Sequence, residues 1–290
     1  MAAFLDGAAQ LYALVYFGLV IVMAVVEWVF PRRKAGDTLT LRWIGNLGLA
    51  VIDAVVLRWV FPMFGLAWAF YCQQRGWGLM HQASLPGWFT TIASVLLLDL
   101  QSYSIHYVQH RVALLWRLHK THHTDHEFDF TTGLRFHPLE SIVTTGVGLF
   151  AIALLGAPPV GVLVFQLLTL ASALFEHSNL RLPAAIDAAL RLVVVTPDQH
   201  RVHHSSLRHE AQSNLGAIFP WWDRLFGTYV AAPSQGHDQI TFGVKGFSDI
   251  RYQRLHWLLL TPFLNPVRQA PPQPPAATIE DTLSPLARSR

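Results

Sequence analysis

The chain has 290 residues, of which 52% are hydrophobic and only 13% are Asp, Glu, Lys or Arg. An ordinary soluble domain carries about 25% charged residues, so this composition excludes a disordered chain and a typical water-soluble domain. A single cysteine, Cys72, excludes an intrachain disulfide framework, a cysteine-ligated zinc site and an iron–sulfur cluster. The formal charge is only +3, and in so apolar a chain the basic residues report membrane topology rather than nucleic-acid binding. Against this background 10 Trp and 15 His stand out, the histidines nearly matching the 18 acidic residues.

Residues 11–30 form an apolar run interrupted only by Glu27. At about 1.5 Å per residue it crosses a hydrocarbon core of roughly 30 Å, and it lacks the basic flank and small-residue cleavage site of a signal peptide. A second run, 44–64, contains Asp53 and Arg58; charges at this depth are expected to pair and to face the bundle. A third, 88–100, follows Pro86-Gly87. Two shorter runs, 142–155 and 160–175, flank Gly156-Ala157-Pro158-Pro159, and their length suits a shallow hairpin.

The predicted architecture is an all-α integral membrane protein, a helical bundle of about four to five spans or hairpin segments with a histidine-rich helical cap. Arg32, Arg33, Lys34 and Arg42 follow the first span, and Arg111, Arg117, Lys120 and Arg135 follow the third. The remaining basic residues lie almost entirely beyond Arg181. By the positive-inside rule these connections, the cap and the C-terminus are cytoplasmic. The expected division is N-terminal spans over 1–94, a histidine-bearing domain over 95–230, a C-terminal amphipathic segment over 231–265 and a disordered Pro-rich tail over 266–290. Residues 252–260 are expected to form a helix on the membrane surface. Trp221 and Trp222 are expected to anchor at the headgroup level.

The histidines are clustered and spaced. His106 and His110, four apart, continue the third span and share one helix face. Asp99 and Tyr103 lie on the same stripe, and Asp99 is placed to accept a ring N–H from a ligating histidine. His119, His122 and His123 form a second box, and His200, His203 and His204 a third with the same spacing. Eight imidazoles without a thiolate suit iron, zinc, copper or nickel, and eight exceed the shell of one ion, so two metals are implied. His137 and His177 are the best candidates to complete the shells. Asp99, Asp198 and Glu140 are the candidate carboxylate partners near the ligands, with Asp198 ranked behind Asp99. His126 and His209 break the spacing and are expected to face solvent or to support a ligand. His81, His237 and His256 carry no metal role.

These residues resemble the fatty acid hydroxylase / sterol desaturase superfamily of integral-membrane di-iron enzymes. The resemblance covers roughly residues 95–230. It runs from Asp99 and the first box through Leu115-Trp-Arg-Leu-His-Lys-Thr-His-His, Thr132-Gly-Leu-Arg-Phe-His-Pro and Glu176-His-Ser-Asn. It closes with Thr196-Pro-Asp-Gln-His-Arg-Val-His-His-Ser and Trp222-Asp-Arg-Leu-Phe-Gly-Thr. Tyr107 and Leu215 stand where many relatives carry Arg and Tyr. The resemblance implies two iron ions, O2 as co-substrate, and hydroxylation or desaturation of a C–H bond of a membrane lipid such as a sterol or fatty acyl chain. The chain has no nucleotide fingerprint or haem-attachment motif, so electrons are expected from a separate redox protein. Arg117, Lys120, Arg201 and Arg208 are the expected docking face. The rival expectation is a histidine-rich membrane metal-binding or metal-transport protein without oxygenase activity. Transport sites sit near the middle of spans, whereas these boxes follow the span ends.

Overall fold

The computed structural model describes residues 2–63, 65–82 and 85–265. The long helices α1 (Ala2–Val29) and α2 (Leu39–Val60) are followed by the short α3 (Leu66–Gln74) and α4 (Leu79–Gln82). Helix α5 (Gly87–Arg111) leads almost directly into α6 (Ala113–His123), and α7 (Pro138–Leu155) into α8 (Pro159–Glu176). The rest of the described chain is a cap of short helices: α9 (Ala184–Leu190), α10 (Pro197–His203), α11 (Arg208–Ala211), α12 (Trp221–Phe226) and α13 (Leu255–Leu260). Extended pairing among the described residues is confined to isolated bridges, Pro31 with Leu180 and Ser205 with Phe242.

Helices α1, α2, α7 and α8 are each long and apolar enough to cross a membrane, and α3–α4 with α5 make a fifth if that bent pair is one span. The shallow hairpin expected over 142–175 is instead two helices of 18 residues each, about 27 Å long. Proline explains the extra length. Pro138 and Pro159 open their helices, where the missing N–H has no intrahelical partner to lose. Gly156 closes α7 in the left-handed conformation, φ 67°. It also lets the turn touch the 77–78 backbone: a Cβ on Gly78 would lie 2.0 Å from the Gly156 nitrogen.

The outward faces carry large apolar side chains, including Trp28 (84% exposed), Trp59 (82%) and Leu14 (72%). In a span these face lipid, so exposure here costs nothing. Inside, α5 packs on α7 and α8, α1 on α8, and α2 on α7. One apolar cluster joins Met23, Phe130, Leu170, Leu174 and Leu180; another joins Ala69, Leu98, Ile152, Ala157 and Val162.

A buried ionic latch ties α2 to the segment between α6 and α7. Arg42, fully buried, pairs with Asp125, with Asp129 at 2.7 Å and with Glu127 at 3.4 Å. Arg135, also fully buried, reaches Asn46 and Gln253 at 2.9 Å each, the Thr121 carbonyl at 2.9 Å and the Thr124 hydroxyl at 2.9 Å. Pairing this complete offsets the cost of burying the charges. Arg42 and Arg135 hold the Asp125 carboxyl far below the ordinary carboxylate range, overcoming the opposing effect of burial.

Two expectations change here. Asp53 and Arg58 do not pair: Arg58 donates to the Pro62 carbonyl at 2.9 Å, and Asp53 lies against Ser141. Five residues apart on one helix, their side chains leave on different bearings. The segment 252–260 is a six-residue α13 that buries Leu258 and packs on α2. The tail over 266–290 lies outside the described residues.

Candidate metal centre

Nine of the ten expected ligands converge in two groups. His106, His110, His119, His123 and His203 form one; His122, His177, His200 and His204 form the other. Within each group one ring nitrogen per residue lies within 4.8 Å of all the others. Each three-histidine box is divided between the groups. In α6, His119 and His123 share a stripe four residues apart, while His122 points to the second group; around α10, His200 and His204 join the second group and His203 the first. Four residues advance a helix by about 40° and three fall short by about 60°. The His-x-x-His-His spacing therefore serves two adjacent centres from one helix.

The rings are oriented from behind. His106 Nδ1 lies 2.9 Å from the Leu215 carbonyl, His177 Nδ1 2.7 Å from that of Ala173, and His203 Nδ1 2.8 Å from that of Ser213. His119 Nδ1 lies 2.6 Å from Glu140 Oε1, which also accepts from Gln109 Nε2 at 3.0 Å. Each such bond places the proton on Nδ1 and leaves the Nε2 lone pair facing inward.

The inner nitrogens lack ordinary partners. Nε2 of His110, His203 and His204 is buried with none. The other inner contacts are nitrogen to nitrogen: His106–His119 at 3.2 Å, His119–His123 at 3.1 Å, His122–His177 at 3.1 Å and His177–His200 at 3.0 Å. An unsatisfied buried polar group costs about 1–3 kcal/mol, and converging lone pairs repel. Burial first, and neighbouring histidines second, hold His122, His123, His200, His203 and His204 well below the ordinary imidazole pKa. Neutral, inward-facing, unsatisfied imidazoles are a donor set that fits transition-metal ions.

His137 stands apart. It caps α7, its Nδ1 accepting the Leu139 N–H at 3.1 Å, and its Nε2 donates to the Leu259 carbonyl at 3.1 Å. With both nitrogens engaged, it has no lone pair to offer a metal. Asp99 does not orient a histidine. It accepts the backbone N–H groups of Ile218 and Phe219 at 3.0 and 3.2 Å and the Trp222 indole at 2.8 Å. Asp198 pairs with Arg32 at 3.1 Å. The carboxylate that does meet a ligand is Glu140. Trp222 is thereby fixed from inside, and Asp223 accepts the Leu215 and Gly216 N–H groups at 2.7 and 2.9 Å. This brace sets the Leu215 carbonyl that holds His106. His126 bonds the Phe247 carbonyl at 2.6 Å, while His209 is exposed. Of the expected docking face, Arg201 and Lys120 are buried, and Arg117 is engaged with the Pro262 carbonyl at 3.0 Å; Arg208 remains exposed.

Two cavities reach the histidines. One, of about 300 Å³, opens among α2, α5, α7 and α8, where Leu57, Ile105, Phe136 and Ala173 line it beside His106, His119, His122, His177 and His200. The other, of about 410 Å³, reaches His110 and His123 past Trp116, Arg208 and Lys245.

A model of the fatty acid hydroxylase family matches residues 91–228. The chain is 27% identical to alkylglycerol monooxygenase of Homo sapiens over 244 residues, 83% of this chain and 52% of that protein; it thus spans about half the length of that relative. It is 29% identical to an ornithine lipid hydroxylase of Rhizobium tropici over 243 residues, 81% of this chain and 71% of the relative. It is also 29% identical to a cholesterol 25-hydroxylase-like protein of Danio rerio over 206 residues, 68% of this chain and 76% of the relative. No solved structure matches the chain. The matched segment contains both histidine groups, their oriented backs and the Asp99 and Asp223 braces, and through it the chain is similar to the fatty acid hydroxylase family.

Proposed function

We propose that this protein is a membrane lipid hydroxylase that uses two iron ions and O2 to convert a C–H bond of a lipid into an alcohol. The observation that carries this reading is the pairing of two buried histidine groups with an apolar cavity that opens among the spans. The five-histidine group and the four-histidine group would each hold one ion. When bound, the ions supply the activation of O2 and the power to oxidise an unactivated carbon.

The chain's own residues do the rest. Glu140, Gln109 and three backbone carbonyls fix the ligand rings. Burial keeps the rings neutral, as metal binding requires. Leu57, Ile105, Phe136 and Ala173 hold an alkyl chain beside His106 and His119 and keep water away. Ser102, Thr144, Thr145 and Thr169 also line this cavity, and their hydroxyls suit a substrate whose polar group enters with its chain. The relatives named above act on such lipids by their names; a sterol or fatty acyl chain fits the same cavity.

The stoichiometry requires R–H, O2, two electrons and two protons to give R–OH and water. The electrons would come from a separate protein on the cap side, and the excess of basic residues in the connections on that side supports a cytoplasmic orientation. Arg208 and Lys245 beside the cleft to His110 and His123 are where it would approach. Enclosure of the histidines at the helix ends, beneath the cap, favours catalysis over metal transport, which needs a site near the middle of the spans that opens to each face of the membrane in turn.

The test is turnover by the full chain in lipid nanodiscs, loaded anaerobically with ferrous iron and supplied with a reductant and O2. Mass spectrometry of the extracted lipid should show gain of one oxygen atom, labelled when 18O2 is used. Metal retention with no labelled lipid across alkylglycerol, amino-acid lipid, sterol and fatty acyl substrates would contradict the proposal.

A further inference from the structure

Phe128 packs its ring 5.8 Å from that of His177 and 5.1 Å from that of His204. It also lines a separate cavity of about 220 Å³ whose walls bring together Arg33, Lys34 and Arg201 with one carboxylate, Glu127. That carboxylate is committed elsewhere, to the Gly36 N–H at 3.2 Å, the Thr38 hydroxyl at 3.0 Å and Arg42 at 3.4 Å. The other titratable group in the wall, His126, is held by the Phe247 carbonyl.

Arg201 is the decisive residue. Its side chain is fully buried, yet Nε, Nη1 and Nη2 all lack a hydrogen-bond partner. The nearest carboxylate, Asp198, stands 3.8 Å away and is shared with Arg32 at 3.1 Å. Besides that distant carboxylate, aromatic faces flank the guanidinium, Phe128 at 5.1 Å and Phe242 at 6.0 Å. A guanidinium carries five donors in a planar fork suited to phosphate, and a buried charge left this bare is strongly unfavourable.

A neighbouring cavity of about 320 Å³ shares Arg33, Lys34, Glu127, Phe128 and Asn179 with the first and continues to Ala24, Trp28 and Trp43. These last three belong to α1 and α2, at the ends joined by the 30–38 connection. Glu27 and Asp129 also line this second cavity, but both are committed, Glu27 to the Phe130 and Asn179 N–H groups at 2.8 Å each and Asp129 to Arg42 at 2.7 Å. A cationic recess thus continues into a groove walled by Trp28, Leu39 and Trp43 where two spans end, the shape of an amphiphile.

We propose that Arg33, Lys34 and Arg201 bind the phosphate of an anionic membrane lipid whose chain lies along Trp28 and Trp43. The site is separate from the reactive cavity and requires no metal. Because Arg201 lies between His200 and His203 in the sequence, a lipid held there also braces α10.

The test uses the full chain in detergent, without added metal, and native mass spectrometry with phosphatidylglycerol and phosphatidylcholine in competition. Wild type should retain one phosphatidylglycerol that phosphatidylcholine does not replace. Arg33→Gln with Lys34→Gln removes two charge-assisted contacts and should weaken retention roughly tenfold or more. Lys245→Gln, on the other cleft, should leave it unchanged. Lys34→Glu at an exposed position carries the same test if the double variant does not fold. Inorganic phosphate forms a third arm. Displacement of the lipid by phosphate, or variant-sensitive lipid retention without displacement, supports the site. Binding of phosphate without phosphatidylglycerol would assign the recess to a soluble anion and overturn the proposal. Equal retention of both lipids, or equal retention by the variants, would overturn it as well.

Discussion

Glu140→Ala isolates the contribution of a residue that touches one ligand and no proposed metal. Its carboxylate accepts from His119 Nδ1 at 2.6 Å and from Gln109 Nε2 at 3.0 Å, at a position only 2% exposed. Alanine leaves two buried donors without an acceptor, at about 1–3 kcal/mol each. It also frees the His119 ring to rotate and to change tautomer. Loss of such an outer partner weakens metal binding about 10- to 100-fold, or roughly 1.4–2.7 kcal/mol. The effect should fall on the five-histidine group, which contains His119, and spare the four-histidine group. The assay is a chelator titration of the iron-loaded full chain with elemental analysis of retained metal. One ion should be lost at a 10- to 100-fold lower chelator concentration while the other follows wild type. Glu140→Gln keeps an acceptor oxygen and should lose less. A Glu140→Ala titration that overlays wild type, or one in which both ions leave together, would refute the reasoning.

His137→Ala should keep both ions while losing the α7 cap, with a stability cost of about 0.5–2 kcal/mol; loss of metal with unchanged thermal stability would restore His137 as a ligand. Arg135→Ala should destabilise the chain by about 3–5 kcal/mol, because Asp125 then keeps only part of its charge compensation; a thermal midpoint within a degree of wild type would contradict the latch. Acidification of the metal-free protein should destabilise it. His122, His123, His200, His203 and His204 have folded-state pKa values well below the ordinary 6.5, so below that pH the unfolded chain binds protons that the folded chain refuses. Each group then costs up to about 1.4 kcal/mol per pH unit, and a thermal midpoint that stays level from pH 7 to pH 5 would show that these rings are not buried neutral.

Much of the candidate site was legible in the sequence because the histidines that converge come in local patterns. His106 and His110 sit near the end of the long α5, and the two His-x-x-His-His boxes on or directly after the shorter α6 and α10, where helical spacing sets direction. His177 was legible as the end of an apolar run. His137 was misplaced because a histidine before Pro looks the same whether it binds metal or caps a helix. Glu140, the partner of His119, was one of three candidate carboxylates, and nothing in its spacing set it above Asp99. Asp99 shares the stripe of His106, but the loop at 218–222 comes to it first, and a contact across about 120 residues leaves no periodic signal. The same blindness hid the Arg42–Asp125 latch, the burial of Lys120 and Arg201, and the separation of Asp53 from Arg58. For the spans, apolar length was sufficient, and only the extent of α7 and α8 was underestimated, where proline extends the N-terminal end of each helix.

The central claim is that nine histidines hold two ions in two separate centres. It is tested most directly by counting iron in the anaerobically loaded full chain and in two single variants, His203→Ala and His204→Ala. The account predicts two irons per chain in wild type, about one in each variant, and different ligand-field spectra for the two, because each has lost a ligand of a different centre. One iron per chain in wild type, or loss of the same ion from both variants, would contradict it.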